Sequence, residues 1–440
     1  MSGAISGAIR ITRREFLKYA GAGASSALLT PWRVCSAAEA AVSLQGSGLS
    51  LPCCVGDVSA DGSIVWLRTE RANSVVVEYA KNPSFQGAER SAPLVTRSDN
   101  DCTAKLLLGN LEPATNYFYR AVVADHKPGP VARFVTAPRA DTPASFRFAF
   151  SGDTRQNHQP FSIMDAIREN KPDFFLHLGD TIYGDRLGAA RTLAEYHGKY
   201  VINRGDEPSQ RLLAETSLIV VWDDHEVADN YRAANPLAPV GRRAFMDYWP
   251  VRHDPADPQR IYRSQRWGKT AELFILDTRQ YRDENAGTIL GAAQMRWFLE
   301  ALSKSDARFK FVCTSVPISS PNKDKWGGYP ADRDAVIKTL RDRQIGGVIF
   351  LSADVHYAAV ARVPGAPGLR EVITGPLGAP MGKGTGRDKR FDYFNNQHLN
   401  YGLVNVHEDG ANSHVDIEIR TDKDVLLHEV RFAAGVKAES

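Results

Sequence analysis

The sequence predicts an α+β chain in two parts, an all-β sandwich followed by a layered α/β domain. Up to Thr136, short alternating apolar runs are separated by turn-formers at sandwich spacing. From Phe146 onward, continuous apolar strands alternate with stretches of helical spacing. At 440 residues the chain also exceeds what one hydrophobic core usually organises. With 43% hydrophobic and 24% charged residues, it lies far from the disordered, collagenous and disulfide-scaffold classes.

The first 40 residues read as an address rather than as structure. A polar, basic start leads to Thr12-Arg13-Arg14-Glu15-Phe16-Leu17-Lys18, then the weakly apolar Tyr19 to Leu29, and ends at Ala38-Glu39-Ala40. The paired arginines resemble the twin-arginine export signal, and the small residues at the end suit signal-peptidase cleavage. That resemblance implies the twin-arginine machinery as a partner and a periplasmic or secreted location. The apolar run falls short of the roughly 20 residues a permanent membrane span needs. This segment also carries the charge asymmetry: without it, 49 basic residues face 49 acidic ones. Such a balance provides no overall field to draw the chain onto nucleic acid or an anionic membrane.

A first domain is expected over 48–138, with strands at Ile64 to Leu67, Val75 to Tyr79, Ala104 to Leu108, Tyr117 to Val123 and Ala132 to Thr136. The stretch Leu111-Glu112-Pro113-Ala114-Thr115-Asn116-Tyr117 resembles the corner before a late strand of fibronectin type III domains, which implies a small sandwich of that kind. Cys53 or Cys54 could bridge to Cys102 in an oxidising compartment, or the adjacent pair could serve as small buried hydrophobes. After the connector Ala137 to Pro143, a second domain is expected over 145–435. Its strands are placed at Phe146 to Ser151, Asp173 to Leu178, Leu218 to Trp222, Ala271 to Leu276, Phe309 to Thr314 and Gly347 to Leu351. Helices are expected near Phe161 to Asn170, Ala293 to Ser303 and Asp332 to Arg343, and the last 85 residues read mainly as strands.

Metal-type residues fall just past the ends of these buried strands. The segments are Gly152-Asp153-Thr154-Arg155, Gly179-Asp180-Thr181-Ile182-Tyr183, Asp223-Asp224-His225-Glu226 and Ala353-Asp354-Val355-His356. In layered α/β folds the carboxyl ends of strands gather residues distant in sequence. One such aspartate is often only a helix cap or turn former. Four in register would bury several carboxylates together, which is costly unless cations neutralise them.

These blocks resemble the ordered motifs of calcineurin-like metallophosphoesterases in the alkaline phosphatase D form. Leu276-Asp277-Thr278-Arg279-Gln280-Tyr281-Arg282 and the sandwich-first layout also resemble that family, whose catalytic fold is a four-layer α/β sandwich. The resemblance implies an exported, metal-dependent hydrolase of phosphate esters, with hydroxide generated on two cations that also offset charge developing on phosphorus. Position by position, it implies Asp153, Asp180, Tyr183 and His356 at one metal, with Asp180 bridging to a second held by Asp224 and Asp354. It implies His225 beside the leaving oxygen, and Arg155 and Arg279 as candidates for gripping phosphate oxygens. The phenolate implies iron(III), and the oxygen-rich second site suits calcium, manganese or magnesium. Many members carry a cysteine where this chain has Ser151-Gly152-Asp153. His177 is expected in the core, and Trp222, Tyr281 and Trp326 in the core or a pocket wall. Two other readings stay open: a purple-acid-type phosphomonoesterase, and an exported, calcium-stabilised binding protein. No Gly-x-Ser-x-Gly elbow supports a serine hydrolase.

Overall fold

The computed structural model describes residues 43–438 except Thr385, so the expected leader over 1–40 lies outside the described residues. Among those described, no helix is long and apolar enough to cross a membrane. Two mixed sheets form the centre. The nine-stranded sheet runs Leu426–Ala433, His414–Thr421, Asn400–His407, Phe146–Ser151, Phe174–Leu178, Ser217–Val221, Leu49–Gly56, Gly62–Thr69 and Thr103–Gly109. The seven-stranded sheet runs Arg263–Trp267, Ala271–Ile275, Phe309–Cys313, Val348–Ser352, Ala366–Ile373, Ala358–Val363 and Phe391–Asn395.

The central parallel strands Phe174–Leu178, Ser217–Val221, Phe309–Cys313 and Val348–Ser352 are buried at every position. Their mostly apolar runs, interrupted by His177 and Lys310, fit strands covered on both faces. Between the sheets, Phe148 stacks on Phe174 at 4.7 Å and meets Phe311 edge-on at 5.2 Å. Helices Gly291–Lys304 and Pro330–Asp342 cover the seven-stranded sheet through Phe298, Leu302, Val336 and Leu340. Helices Ile163–Glu169, Leu193–Arg204, Glu207–Glu215 and Ala238–Tyr248 pack with the nine-stranded sheet. The result is the expected four layers, helices on sheet on sheet on helices.

Leu193–Arg204, Glu207–Glu215 and Ala238–Tyr248 are not among the expected helices, and for the first the reason is physical. Leu193–Arg204 buries Tyr196, His197, Tyr200, Asn203 and Arg204, so its inward face is largely polar by composition. Its start is nonetheless written in the chain, because Thr192 and Glu195 form a reciprocal capping box. Asp206 likewise caps Glu207–Glu215 by accepting from the Ser209 N–H, with Pro208 in the first turn.

The N-terminal strands form a sandwich, but it is not set apart. Ser74–Ala80, Asn116–Val123 and Ala132–Val135, with two short edge strands, make a separate five-stranded sheet that packs on Leu49–Gly56, Gly62–Thr69 and Thr103–Gly109. Those last three strands are also the end of the nine-stranded sheet, joined where Gly56 pairs with Leu218 in parallel. At the corner before Asn116–Val123, the Tyr117 hydroxyl accepts from the Glu112 N–H at 2.9 Å. All four described cysteines are free, and Cys53 and Cys54 are buried as small hydrophobes.

A buried ion pair locks this junction. Asp57, 2% exposed, accepts from Arg263 Nε at 3.0 Å and Nη2 at 2.6 Å, and its other oxygen accepts from the Arg252 N–H at 2.7 Å. Removing Asp57 leaves a mostly buried guanidinium with only the Ile261 and Val220 carbonyls as acceptors. Asp57→Ala is therefore expected to lower stability by about 3–5 kcal/mol in urea denaturation. The exposed Asp61→Ala is expected to change it by about 0.5 kcal/mol or less.

Candidate metal centre

Four loops, three from adjacent strands of the nine-stranded sheet and one from the seven-stranded sheet, meet at the strands' carboxyl ends. The backbone there is forced into rare conformations. Asp153, Asp180, Asp354 and His356 all have left-handed φ, at 70°, 55°, 67° and 57°. Each costs of order 1 kcal/mol or more and persists only where its surroundings hold it. Gly179, at φ 107°, sits so close to the next loop that a Cβ would lie 2.6 Å from that of Asp223.

The side chains converge. Ligand-type atoms of Asp153, Asp180 and His356 lie within 4.8 Å of one another, as do those of Asp180, Asp224 and His225, and those of Asp223, Asp224 and Asp354. Asp180 and Asp224 each belong to two of these groups, so the clusters form one chain of oxygen and imidazole donors. Tyr183 joins through its hydroxyl, 3.0 Å from His356 Nε2. The other imidazole nitrogen, His356 Nδ1, donates to the Pro380 carbonyl at 2.6 Å, which turns Nε2 toward Asp153 at 3.4 Å.

Charge at this point is unbalanced. Asp153, Asp180, Asp223, Asp224, Glu226 and Asp354 are nearly or fully removed from solvent, while Arg279 and Lys325 are the fixed cations among them. Burial, then the neighbouring Asp224 and Asp223, hold the Asp180 carboxyl well above its ordinary range. Burial also lifts Asp354 to about 8 despite Lys325. Burial pushes Asp224 the same way, but Arg279, His225 and Lys325 override it and leave it depressed. His356 shows the complementary response: burial lowers it, yet Asp153 and the Pro380 carbonyl raise it to about 9. Asp153 Oδ2 is buried without a hydrogen-bond partner. An orphaned carboxylate oxygen beside a surplus of acids fits a site for cations, and oxygen donors with one imidazole suit hard ones.

Several residues that do this positioning were given no role by the sequence pattern. Glu226, fully buried, accepts from the N–H groups of Asp180 at 3.2 Å, Thr181 at 2.6 Å and Asp223 at 2.8 Å, pinning two ligand loops together. Asp185 accepts from His225 Nδ1 at 2.7 Å, and the His225 ring stacks on Tyr183 at 4.1 Å. Arg155 lies with its guanidinium 5.7 Å from the Tyr183 ring and has no ion pair among the described residues. Arg279, the other candidate for phosphate, faces the acids in this structure. It is fully buried and donates to Asp223, Asp224, Asp324 and Asp354, so its donors are spent on the acids. His177 is buried near Thr154, and the Trp222 and Trp326 indoles are core groups donating to Asp277 and Thr314.

Comparison with known proteins bears on the same residues. The PhoD-like phosphatase model matches residues 146–422, and the model for the N-terminal domain of PhoD-like phosphatases matches 36–138. The chain belongs to the PhoD-like phosphatase family. Alkaline phosphatase D of Bacillus subtilis (strain 168) is 28% identical over 419 residues, spanning 78% of this chain and 71% of that protein. A solved structure of PhoD superposes with a TM-score of 0.77 at 21% identity, covering 89% of this chain and 90% of the other. A purple acid phosphatase, PPD1 from yellow lupin seeds, superposes at 0.66 with 12% identity over 87% and 74% of the two chains. These two likenesses show that the PhoD-like fold shares its architecture with purple acid phosphatases.

Because Glu226 serves three backbone donors, Glu226→Ala leaves them unpaired in the interior. The expected result is a stability loss of about 3 kcal/mol in chemical denaturation, with a clear fall in bound metal by elemental analysis. Unchanged metal content in that variant would show that the pinned loops do not set the ligand positions.

Proposed function

We propose that this member of the PhoD-like family hydrolyses phosphate esters with the aid of bound metal ions. The observation that carries the reading is the convergence of Asp153, Asp180, Asp224, Asp354 and His356, from four separate loops, at one point of excess negative charge. In this reading Asp153, Asp180, Tyr183 and His356 hold one metal. Asp180, Asp224 and Asp354 would hold a second. The phenol of Tyr183 favours iron(III), and the carboxylates of the second site favour calcium, with manganese or magnesium as substitutes. When bound, such a pair supplies Lewis-acid charge to the phosphate and makes water a stronger nucleophile at neutral pH.

The chain's own groups do the rest. His225 keeps Nδ1 on Asp185, so its Nε2 is the nitrogen left to give a proton to the leaving oxygen. Arg155, with no carboxylate partner among the described residues, supplies donors for nonbridging phosphate oxygens. Arg279 and Lys325 act on Asp223, Asp224 and Asp354, holding the ligand oxygens in place. The proposal includes export by the twin-arginine route to the periplasm or outside, resting on Arg13 and Arg14 in the leader over 1–40. It assigns 48–138 as a positioning module of fibronectin type III kind, and 145–435 as the catalytic domain.

The test is hydrolysis of bis-p-nitrophenyl phosphate and p-nitrophenyl phosphate by the metal-loaded protein. His225→Ala is expected to lose about 10²- to 10⁴-fold in kcat with its metals retained. Asp185→Asn is expected to lose about 10- to 100-fold, because the imidazole loses its orienting partner. A wild-type protein that cleaves neither ester, or an undiminished His225→Ala, would overturn the reading.

A further inference from the structure

A second cluster of metal-type donors lies at the opposite end of the nine-stranded sheet. His407 ends the strand Asn400–His407, and His414 begins its antiparallel neighbour His414–Thr421, where the two are direct cross-strand partners. Residues facing each other across a ladder share a face, and so do residues two apart on one strand. His407, His414 and Asp416 are therefore brought to one face by strand geometry alone. Val406 pairs with Phe146, at the start of the strand that ends beside Asp153. A six-residue strand is about 20 Å long, so this cluster is remote from the centre described above.

Its donor atoms are spaced as a ligand set rather than as a hydrogen-bonded trio, all lying within 4.8 Å of one another. His407 Nε2 and His414 Nε2 each lie 3.6 Å from the same oxygen, Asp416 Oδ2. That is too long for a good hydrogen bond. It is close to the separation of about 3.3 Å between neighbouring ligand atoms around a tetrahedral zinc with bonds of about 2.05 Å. The imidazoles stack with centroids 4.6 Å apart and planes at 21°, so the half-exposed His407 ring must turn out of the stack before both in-plane Nε2 lone pairs meet at one ion. His414 is also oriented from behind, since its Nδ1 donates to the Asn412 carbonyl at 2.9 Å. This fixes Nε2 as the lone-pair nitrogen of the neutral ring, the support that ligating histidines usually have. Asp416 is held as firmly, receiving Arg431 Nε at 2.6 Å and Nη2 at 2.8 Å from the edge strand Leu426–Ala433. With Asp416 mostly buried, His414 partly exposed and His407 about half exposed, a hydrated ion can reach the site and keep water as its remaining ligand.

We propose that His407, His414 and Asp416 form a peripheral site for one borderline-soft divalent cation of the zinc class, separate from the catalytic metals. Two imidazoles with one carboxylate favour zinc, nickel or copper over calcium and magnesium. A cation there ties the ends of two neighbouring strands, and through Asp416 and Arg431 it reaches the third. The site acts as a clamp on the sheet's outer antiparallel edge.

Equilibrium dialysis of the metal-loaded protein against micromolar Zn2+, followed by elemental analysis, tests this. Wild type is expected to hold about one equivalent of zinc more than the His407→Ala/His414→Ala double variant. Ester hydrolysis and catalytic-metal content are expected to match between the two. Co2+ should show tetrahedral-type visible bands in wild type that are weakened in the double variant. If the double variant does not fold, His407→Gln, at the more exposed ring, serves the same comparison. Equal zinc uptake by wild type and a folded variant would overturn the proposal.

Discussion

Six carboxylates, of Asp153, Asp180, Asp223, Asp224, Glu226 and Asp354, are gathered where the two sheets present their strand ends, against the cations of Arg279 and Lys325. In an interior where charges are weakly screened, such an arrangement repels itself unless further positive charge is supplied. That shortage governs the rest of the site. It accounts for an Asp180 carboxyl held far above its usual range, and for a His356 imidazole held up near 9 once Asp153 offsets the effect of burial. It also explains why Arg279, fully buried, is engaged with acids rather than left open to a ligand.

Holding the acids together requires a backbone that would not otherwise stay in place. Left-handed φ at Asp153, Asp180, Asp354 and His356 turns each chain sharply as it leaves its strand. The strands themselves, mostly apolar and buried at every position, provide the rigid base that sustains this strain. Glu226 ties the Asp180 and Asp223 loops by their N–H groups, and Asp57 with Arg263 ties the N-terminal strands to the sheet that carries those loops. The sandwich thus shares a sheet with the site rather than standing as a separate appendage.

Much of this was legible in the sequence because buried parallel strands announce themselves as continuous apolar runs. The aspartates after Phe146–Ser151, Phe174–Leu178, Ser217–Val221 and Val348–Ser352 could be read in register for the same reason. Helix Leu193–Arg204 was not legible from periodicity, since its buried face is tyrosine, histidine, asparagine and arginine, although its capping box marks the start. The pairing of Gly56 with Leu218 depends on residues far apart in sequence, and no local pattern encodes it. Asp185, Asp324 and Lys325 lie outside the strand-end motifs, so their contacts with His225, Arg279 and Asp354 appear only once the loops are folded together. The partners of Arg279, a candidate for gripping phosphate, were hidden for the same reason: its guanidinium pairs with Asp223, Asp224, Asp324 and Asp354. An arginine near a site reads as a ligand until the number of acids competing for it is known.

The central claim is that cations neutralise this cluster, and that folding stability therefore depends on them. Thermal melting of the purified protein before and after exhaustive chelation measures that dependence directly. A ligand present at 100 times its Kd stabilises by about 2.7 kcal/mol, so the account predicts a drop of several degrees in Tm on stripping and recovery when metal is restored. An identical Tm in the stripped and loaded forms would contradict it.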